Sequence, residues 1–290
     1  QQEREIGMIT LNTKDCFDPE QTFLCGQCFR WEKRPDNTFF GIVGNSAAKV
    51  SCPDPYTICI ESSNSDCGYW ERYLGLTYDS AAAKSALSAD KIMRTCIEKG
   101  GGIRILRQEV WETVISFIIS ANNNIPRIKK IISKLCELYG NRIDFDGRTV
   151  YGFPTAERLA GLELSDLAEI RAGFRDKYIL DAARRVAAGE INLDAVSELD
   201  DADAKAELMK IKGVGSKVAD CVLLFALGRY KTFPLDVWTK RIMAEVYGAD
   251  EKKPERFIAE HFGVYAGIAQ QYLYYYYAII KENTAESGAK

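Results

Sequence analysis

The spacing of apolar positions changes once along the chain. Over residues 1–85 they fall in short β-rich runs, Thr38 to Val43, Ala48 to Val50 and Tyr56 to Ile60, parted by Asn, Gly, Ser and Pro. Runs of this kind predict strands joined by tight turns. From Tyr69 to Leu74 onward the intervals become helical. Asp90 to Gly100 predicts a helix that breaks at Gly100-Gly101-Gly102. Glu109 to Ser120 predicts an apolar helix burying Trp111, Val114, Ile115, Ile118 and Ile119. Pro126 starts a basic helix after the polar turn Ala121 to Asn124. Leu164 to Ile170, Tyr178 to Ala188 and about Ala266 to Ile280 complete the series. The pattern predicts two parts, a β part over 1–85 and a helical part over 86–290.

The densest signal lies between Leu208 and Arg241. Leu208 to Lys212 predicts the end of one helix. Gly213-Val214-Gly215 predicts a tight turn, because two glycines one residue apart admit backbone angles that other residues resist. Ser216 to Leu227 predicts a second helix with Val218, Val222, Leu223 and Phe225 apolar. Gly228 stops it, and Pro234-Leu235-Asp236 leads into a third helix from about Val237. The first turn of a helix has unpaired N–H groups and partial positive charge, so a glycine turn feeding one suits a phosphate. Lys217 sits in such a turn, and a lysine amine there is a candidate nucleophile. Cys221 and Phe225 follow at intervals of four and share its face. Asp236 can return to that face across the loop. Spacing alone leaves a bland alternative for each: a solvated lysine, a core cysteine and a helix-capping aspartate.

Charge narrows where a polyanion could bind. A net charge of −3 excludes a generally basic protein, so any DNA surface has to be local. Residues 208–241 hold seven basic side chains, Lys210, Lys212, Lys217, Arg229, Lys231, Lys240 and Arg241, against two acids, Asp220 and Asp236. Arg127, Lys129, Lys130 and Lys134 form a second basic cluster, and the acids of Asp194 to Glu207 are expected on the far side. The 47% hydrophobic content is ample for a core, and no apolar run approaches the roughly 18 residues of a membrane span. No signal peptide is visible, and nine cysteines without framework spacing suit a reducing compartment. A soluble intracellular monomer is expected. Cys25 and Cys28 form a CxxC, but there is no second ligand pair and His261 is the one histidine. Two structural thiols are expected rather than zinc.

Five segments carry a family resemblance. KGVGSKVADC followed by FPLDV resembles the helix-hairpin-helix and Gly/Pro-rich-loop signature of base-excision DNA glycosylases. GQCFRW resembles the GQxFRW segment of the 8-oxoguanine DNA glycosylases among them. SANNNIPR is similar to that family's SSNNNIAR, GFRDKY to GYRARY, and AGIAQQYLY to AGWAQAVLF. The resemblance implies an α+β, mainly α fold, an N-terminal antiparallel β-sheet domain packed on an all-α helix-hairpin-helix core. The hairpin spans 208–227 and the Gly/Pro-type loop 228–236. It implies double-stranded DNA containing 8-oxoguanine as partner, no membrane and no required cofactor. A monovalent cation on the hairpin carbonyls is compatible with it. With no cysteine after Cys221, the iron–sulfur cluster of some relatives is not expected.

The same resemblance assigns roles. Lys217 is the nucleophile and Asp236 its carboxylate partner. Gly26, Cys221, Phe225, Gln270 and Tyr274 form the base pocket, with the Gly26 carbonyl meeting the N7 proton that 8-oxoguanine has and guanine lacks. Asn122, Arg127 and Arg175 address the opposite strand, and Phe174 is the wedge. Lys212, Gly213, Gly215 and Lys240 hold phosphates. Three positions depart from the family: Phe174 and Tyr274 exchange Tyr and Phe, and Trp238 replaces a phosphate-contacting His. Two rival readings are a helix-hairpin-helix glycosylase for alkylated bases and a non-catalytic DNA-binding module.

Overall fold

The structure is a computed structural model that describes residues 6–250 and 252–281. A five-stranded antiparallel sheet in the order β1-β5-β4-β3-β2 forms the first part. Its strands are β1 (Gly7–Asn12), β2 (Trp31–Lys33), β3 (Phe39–Val43), β4 (Ser46–Asp54) and β5 (Thr57–Ser62). The β-rich runs correspond to β3, β4 and β5. Reading the sequence misses β1, whose alternation spans only six residues, and β2, whose three residues are too short to show a period. Between them lies α1 (Pro19–Phe23), capped by Asp18. It delivers Phe23 onto Trp31, ring stacked on ring at 4.0 Å. The segment from Leu24 to Arg30 then crosses from the sheet to the helices.

The helical part starts with α2 (Cys67–Tyr73), α3 (Ser80–Leu87) and α4 (Lys91–Gly100). The division expected at residue 85 therefore falls inside α3. Next come α5 (Val110–Ser120) and α6 (Ile125–Tyr139), then a hairpin absent from the sequence reading, β6 (Arg142–Phe145) with β7 (Arg148–Tyr151). After α7 (Ala156–Ala160), Asp166–Ile170 is a 3₁₀ turn, where a longer helix from Leu164 was expected. The chain continues through α8 (Asp176–Ala187), α9 (Leu193–Glu198), α10 (Asp201–Leu208) and α11 (Ser216–Phe225). Because α10 stops at Leu208, Met209 to Lys212 belong to the turn and not to a helix end. The last helices are α12 (Val237–Tyr247), α13 (Pro254–Phe262) and α14 (Ala266–Tyr274), which passes into a π-helix at Tyr275–Lys281.

Gln27 joins the two parts. Its amide nitrogen donates to the carbonyls of Thr22 (2.9 Å) and Arg104 (2.8 Å), and its oxygen accepts from Leu106 N–H (2.9 Å). The side chain is fully buried and fully paired, which is how a polar group survives in a core. Arg30 adds an ion pair to Glu112 at 3.1 Å, and Lys129 donates to the Trp31 carbonyl at 3.0 Å. Within the helical core α5 and α11 pack side by side, Phe117 stacked on Phe225 at 5.6 Å. The Gly267 N–H of α14 donates to the Tyr230 carbonyl just past α11. These contacts bring the ends of α5, α11 and α14 and the Gly26 turn around one hollow.

Candidate active site

The turn before α11 is closed by sterics. Gly213 has φ +89°, a left-handed angle, and a Cβ there would lie 2.6 Å from the Tyr178 ring. Only glycine fits. Gly215 is the N-cap residue of α11 and no side chain caps this end, so the first-turn N–H groups keep their affinity for an anion. Lys217 projects from that turn. Its Nζ stands 3.5 Å from Ser120 Oγ and 5.0 Å from the Phe117 ring centroid. Cys221, one turn on, is buried. Burial pushes its thiol up to about 11, although the adjacent Lys217 pulls the other way, so it stays a neutral thiol at pH 7.

Asp236 is the N-cap of α12. Thr239 N–H donates to its Oδ1 at 2.8 Å, and its own N–H donates to the Thr239 hydroxyl at 2.8 Å. This capping box holds the carboxylate still. Asp236 thus caps a helix and also lines the hollow.

The hollow is a cavity of about 400 Å³, large enough for a purine. Lys217, Asp236, Cys221, Phe225, Gly26, Gln270 and Tyr274 all line it, from four separate stretches of sequence. Gly26 has φ +83°, and a Cβ there would lie 3.2 Å from Tyr274 Cε1. Its backbone forms wall where a side chain would fill the space. Gln270 is 6% exposed, and its Oε1 is buried with no hydrogen-bond partner among the described residues. Leaving such an oxygen unpaired costs about 1–3 kcal/mol, which a ligand N–H would recover. Sequence reading did not single out Ser120 or Gln271, which also line the cavity, and Trp238, marked there as a departure from a phosphate-contacting His, lines it as well. Ser120 had a signal, the polar end of an otherwise apolar helix. Cys25 and Cys28 are structural: both are buried, their thiols donate to the Thr22 and Phe23 carbonyls, and burial pushes both pKa values up, Cys25 to about 12.

The asparagine run does three jobs. Asn123 donates to the Ile119 carbonyl at the end of α5, Asn124 caps α6, and Asn122 makes the left-handed turn between them at φ +49°. Asn122 and Arg127 are exposed beside the cavity mouth. Phe174, 53% exposed on the 3₁₀ turn Gly173–Arg175, is a bare ring on the same face. Arg175 corrects an expectation. Its guanidinium is buried and donates to the carbonyls of Ala121, Asn122 and Ala172, and it lies 4.3 Å from the Phe174 ring centroid. It braces the Asn122 turn and the wedge.

The basic patch is smaller than its count. Lys210 pairs with Glu207, Lys212 with Asp181 (3.4 Å), Arg229 with Asp201 (3.5 Å) and Arg241 with Glu245 (3.8 Å). The acids of α9 and α10 are therefore not all remote: two of them neutralise hairpin cations. Lys134 pairs with Glu169 at 3.0 Å. Lys231 and Lys240 are exposed around the hairpin and, among the described residues, have no such partner, as is true of Arg127 and Lys130 near the asparagine turn.

A glycine hairpin leading into a helix whose first-turn lysine meets an aspartate from the following loop at one cavity defines the helix-hairpin-helix class of base-excision proteins. The model of the HhH-GPD superfamily base excision DNA repair proteins matches residues 115–265, and that of the 8-oxoguanine DNA glycosylase N-terminal domain matches residues 8–114. The chain belongs to the 8-oxoguanine DNA glycosylase/lyase family of that superfamily. The Clostridium acetobutylicum 8-oxoguanine glycosylase/lyase without DNA is 38% identical, with a TM-score of 0.88 over 94% of this chain and 98% of that one. The same enzyme bound to double-stranded DNA with cytosine opposite 8-oxoguanine is 37% identical, with a TM-score of 0.86 over 95% and 98%. The N-glycosylase/DNA lyase of Saccharomyces cerevisiae is 40% identical over 164 residues, which are 52% of this chain and 44% of the yeast protein. The match thus spans less than half of that relative's length. A 3-methyladenine DNA glycosylase of Archaeoglobus fulgidus, 22% identical, shares the fold.

Proposed function

We propose that this protein excises 8-oxoguanine opposite cytosine from duplex DNA and then nicks the strand at the resulting abasic site. The observation that carries this reading is the meeting of Lys217 and Asp236 with Gly26 and Gln270 around one purine-sized cavity. The duplex lies against the hairpin, with Gly213, Gly215 and the α11 N–H groups on phosphates and Lys212 and Lys240 flanking them. The damaged nucleotide rotates out of the stack into the cavity, and Phe174 enters the gap. Asn122 and Arg127 face the cytosine left behind.

In the pocket, Cys221 and Tyr274 bracket the base and Gln270 Oε1 accepts from its edge. The Gly26 carbonyl accepts the N7 proton of 8-oxoguanine. Guanine presents an acceptor at N7, so the two acceptors oppose and the carbonyl stays unpaired, at a cost of about 1–3 kcal/mol. Lys217 Nζ then attacks the sugar C1′. The bond to the base breaks and its electron pair leaves with the base; the nitrogen then loses a proton, the C1′–O4′ bond opens with O4′ taking up a proton, and the adduct becomes a Schiff base. Asp236 stabilises the positive charge that develops on the sugar. Loss of a C2′ proton and departure of the 3′ phosphate complete the β-elimination. These steps use side chains of this chain alone and take place inside the cell.

The decisive assay is cleavage of an 8-oxoguanine:cytosine duplex with borohydride trapping. A covalent protein–DNA adduct together with strand nicking is expected. Base release without an adduct would fit an alkylation-type glycosylase, and binding without cleavage a non-catalytic module.

A further inference from the structure

Gly26 can read N7 only if its carbonyl is held in place, and the cavity wall contains a side chain suited to holding it. Gln271, next to Gln270 on α14, also lines the cavity and is 2% exposed. Its Nε2 donates to the Cys25 carbonyl at 2.8 Å, across 246 positions of sequence. That carbonyl belongs to the peptide unit leading directly into Gly26. Gln27 grips the other side of the glycine through Thr22, Arg104 and Leu106. The left-handed Gly26 turn is thus clamped between two buried amides, one from the crossing segment and one from the recognition helix.

We infer that Gln271 is a positioning residue for lesion recognition. It ties the helix that carries Gln270 and Tyr274 to the peptide immediately before the one that carries the N7 acceptor, so both edges of the base are read against one rigid frame. This inference rests on the proposed glycosylase reading and adds to it the residue that sets the spacing between the two readers. The physical need is specific. A hydrogen bond discriminates only while its acceptor is fixed at about 2.7–3.2 Å from the donor. A glycine turn, lacking a side chain to pack, drifts unless something else restrains it. Once the clamp is gone the Gly26 peptide can rotate, and guanine no longer meets a fixed opposing acceptor.

The test separates base reading from sugar chemistry. Gln271→Met keeps the length of the side chain and removes the donor. Single-turnover excision from 8-oxoguanine:cytosine duplex is expected to fall about tenfold, and the preference over undamaged guanine to narrow. Elimination at a preformed abasic site, which needs Lys217 but no base, is expected to stay within about twofold of wild type. Gln271→Glu supplies a second arm independent of the first. Its new carboxyl donates to the Cys25 carbonyl only when protonated, so the ratio of excision to abasic-site elimination should recover, relative to wild type, as pH falls. Equal loss of both activities in Gln271→Met, or a pH-independent ratio in Gln271→Glu, would reduce Gln271 to ordinary packing. Full excision by both variants would remove it from recognition altogether. Failure of the wild-type protein itself to excise 8-oxoguanine would instead overturn the glycosylase reading, and the two failures are told apart by that control.

Discussion

The guanidinium of Arg175 donates to the carbonyl oxygen of Asn122 at 2.8 Å. The same group holds Ala121 and Ala172 and lies against the Phe174 ring, so one buried cation fixes both the asparagine turn and the wedge. Arg175→Met leaves these carbonyls without donors. A loss of about 1–3 kcal/mol in unfolding free energy is expected in the absence of DNA. Urea denaturation measures it, and an unchanged midpoint would mean that the brace is not needed.

Arg127 lies on the same face, but is exposed, its guanidinium donating to the Arg171 carbonyl at 3.3 Å. Arg127→Met should leave stability unchanged and shrink the preference for cytosine over adenine opposite the lesion. One good donor contact to a base is worth about 1–3 kcal/mol. Kinetics on the two duplexes read the ratio; a full preference in the variant rules Arg127 out as a reader.

Lys217→Gln should still bind damaged duplex while losing base release, nicking and the borohydride adduct. The amine is the atom consumed in the first bond, whereas the phosphate-facing N–H groups of α11 are backbone and remain. Wild-type-like trapping in this variant would sink the nucleophile assignment.

Asp236→Asn separates two roles of one side chain. Asparagine caps a helix about as well as aspartate, so thermal stability should hold. The charge facing the cavity is gone, and excision should fall on the order of 100-fold, the scale seen when one preorganised electrostatic contact is removed. A variant that unfolds earlier with undiminished excision per folded molecule would leave Asp236 as a cap only.

Phosphate binding should follow the free charges, not the total count. Neutralising Lys240, which has no carboxylate partner among the described residues, should lower the slope of log affinity against log salt by about 1 on any duplex. Neutralising Lys212, whose Nζ lies 3.4 Å from Asp181, should change it less. Equal effects from the two would contradict the pairing.

Acid sensitivity has a defined source at Asp90. Burial raises its pKa, but the His261 ring at 2.6 Å and the Ile92 and Met93 amides outweigh this, and the net shift is downward. A carboxyl lowered in the fold stabilises it when ionised. That contribution is present above the ordinary carboxylate value, about 4, and is lost as pH falls through the lowered one. The stability gap between wild type and Asp90→Asn should therefore narrow as the solution is acidified towards about pH 3. Unfolding curves at several pH values measure the gap, and a constant gap would assign the stabilisation to the cap alone.

The sequence by itself determined the local chemistry. Gly213 and Gly215 allow one kind of turn, Lys217, Cys221 and Phe225 must share a helix face, and Asp236 before a new helix must sit at its cap. Each follows from backbone sterics or from the helical repeat, which act over a few residues. Only the tertiary structure decided which of these meet. Cys25 and Gln271 are joined across 246 positions, and no periodicity records that pairing. The same holds for charge: Lys210, Lys212, Arg229 and Arg241 count as basic in the sequence, yet each lies against a carboxylate in the fold. Arg175 reads as a base contact by its motif and is turned inward by the carbonyls around it. Short elements such as β2 and the β6–β7 hairpin escaped for a related reason. Three or four residues are too few to carry a repeat, and such strands form because a partner strand satisfies their backbone.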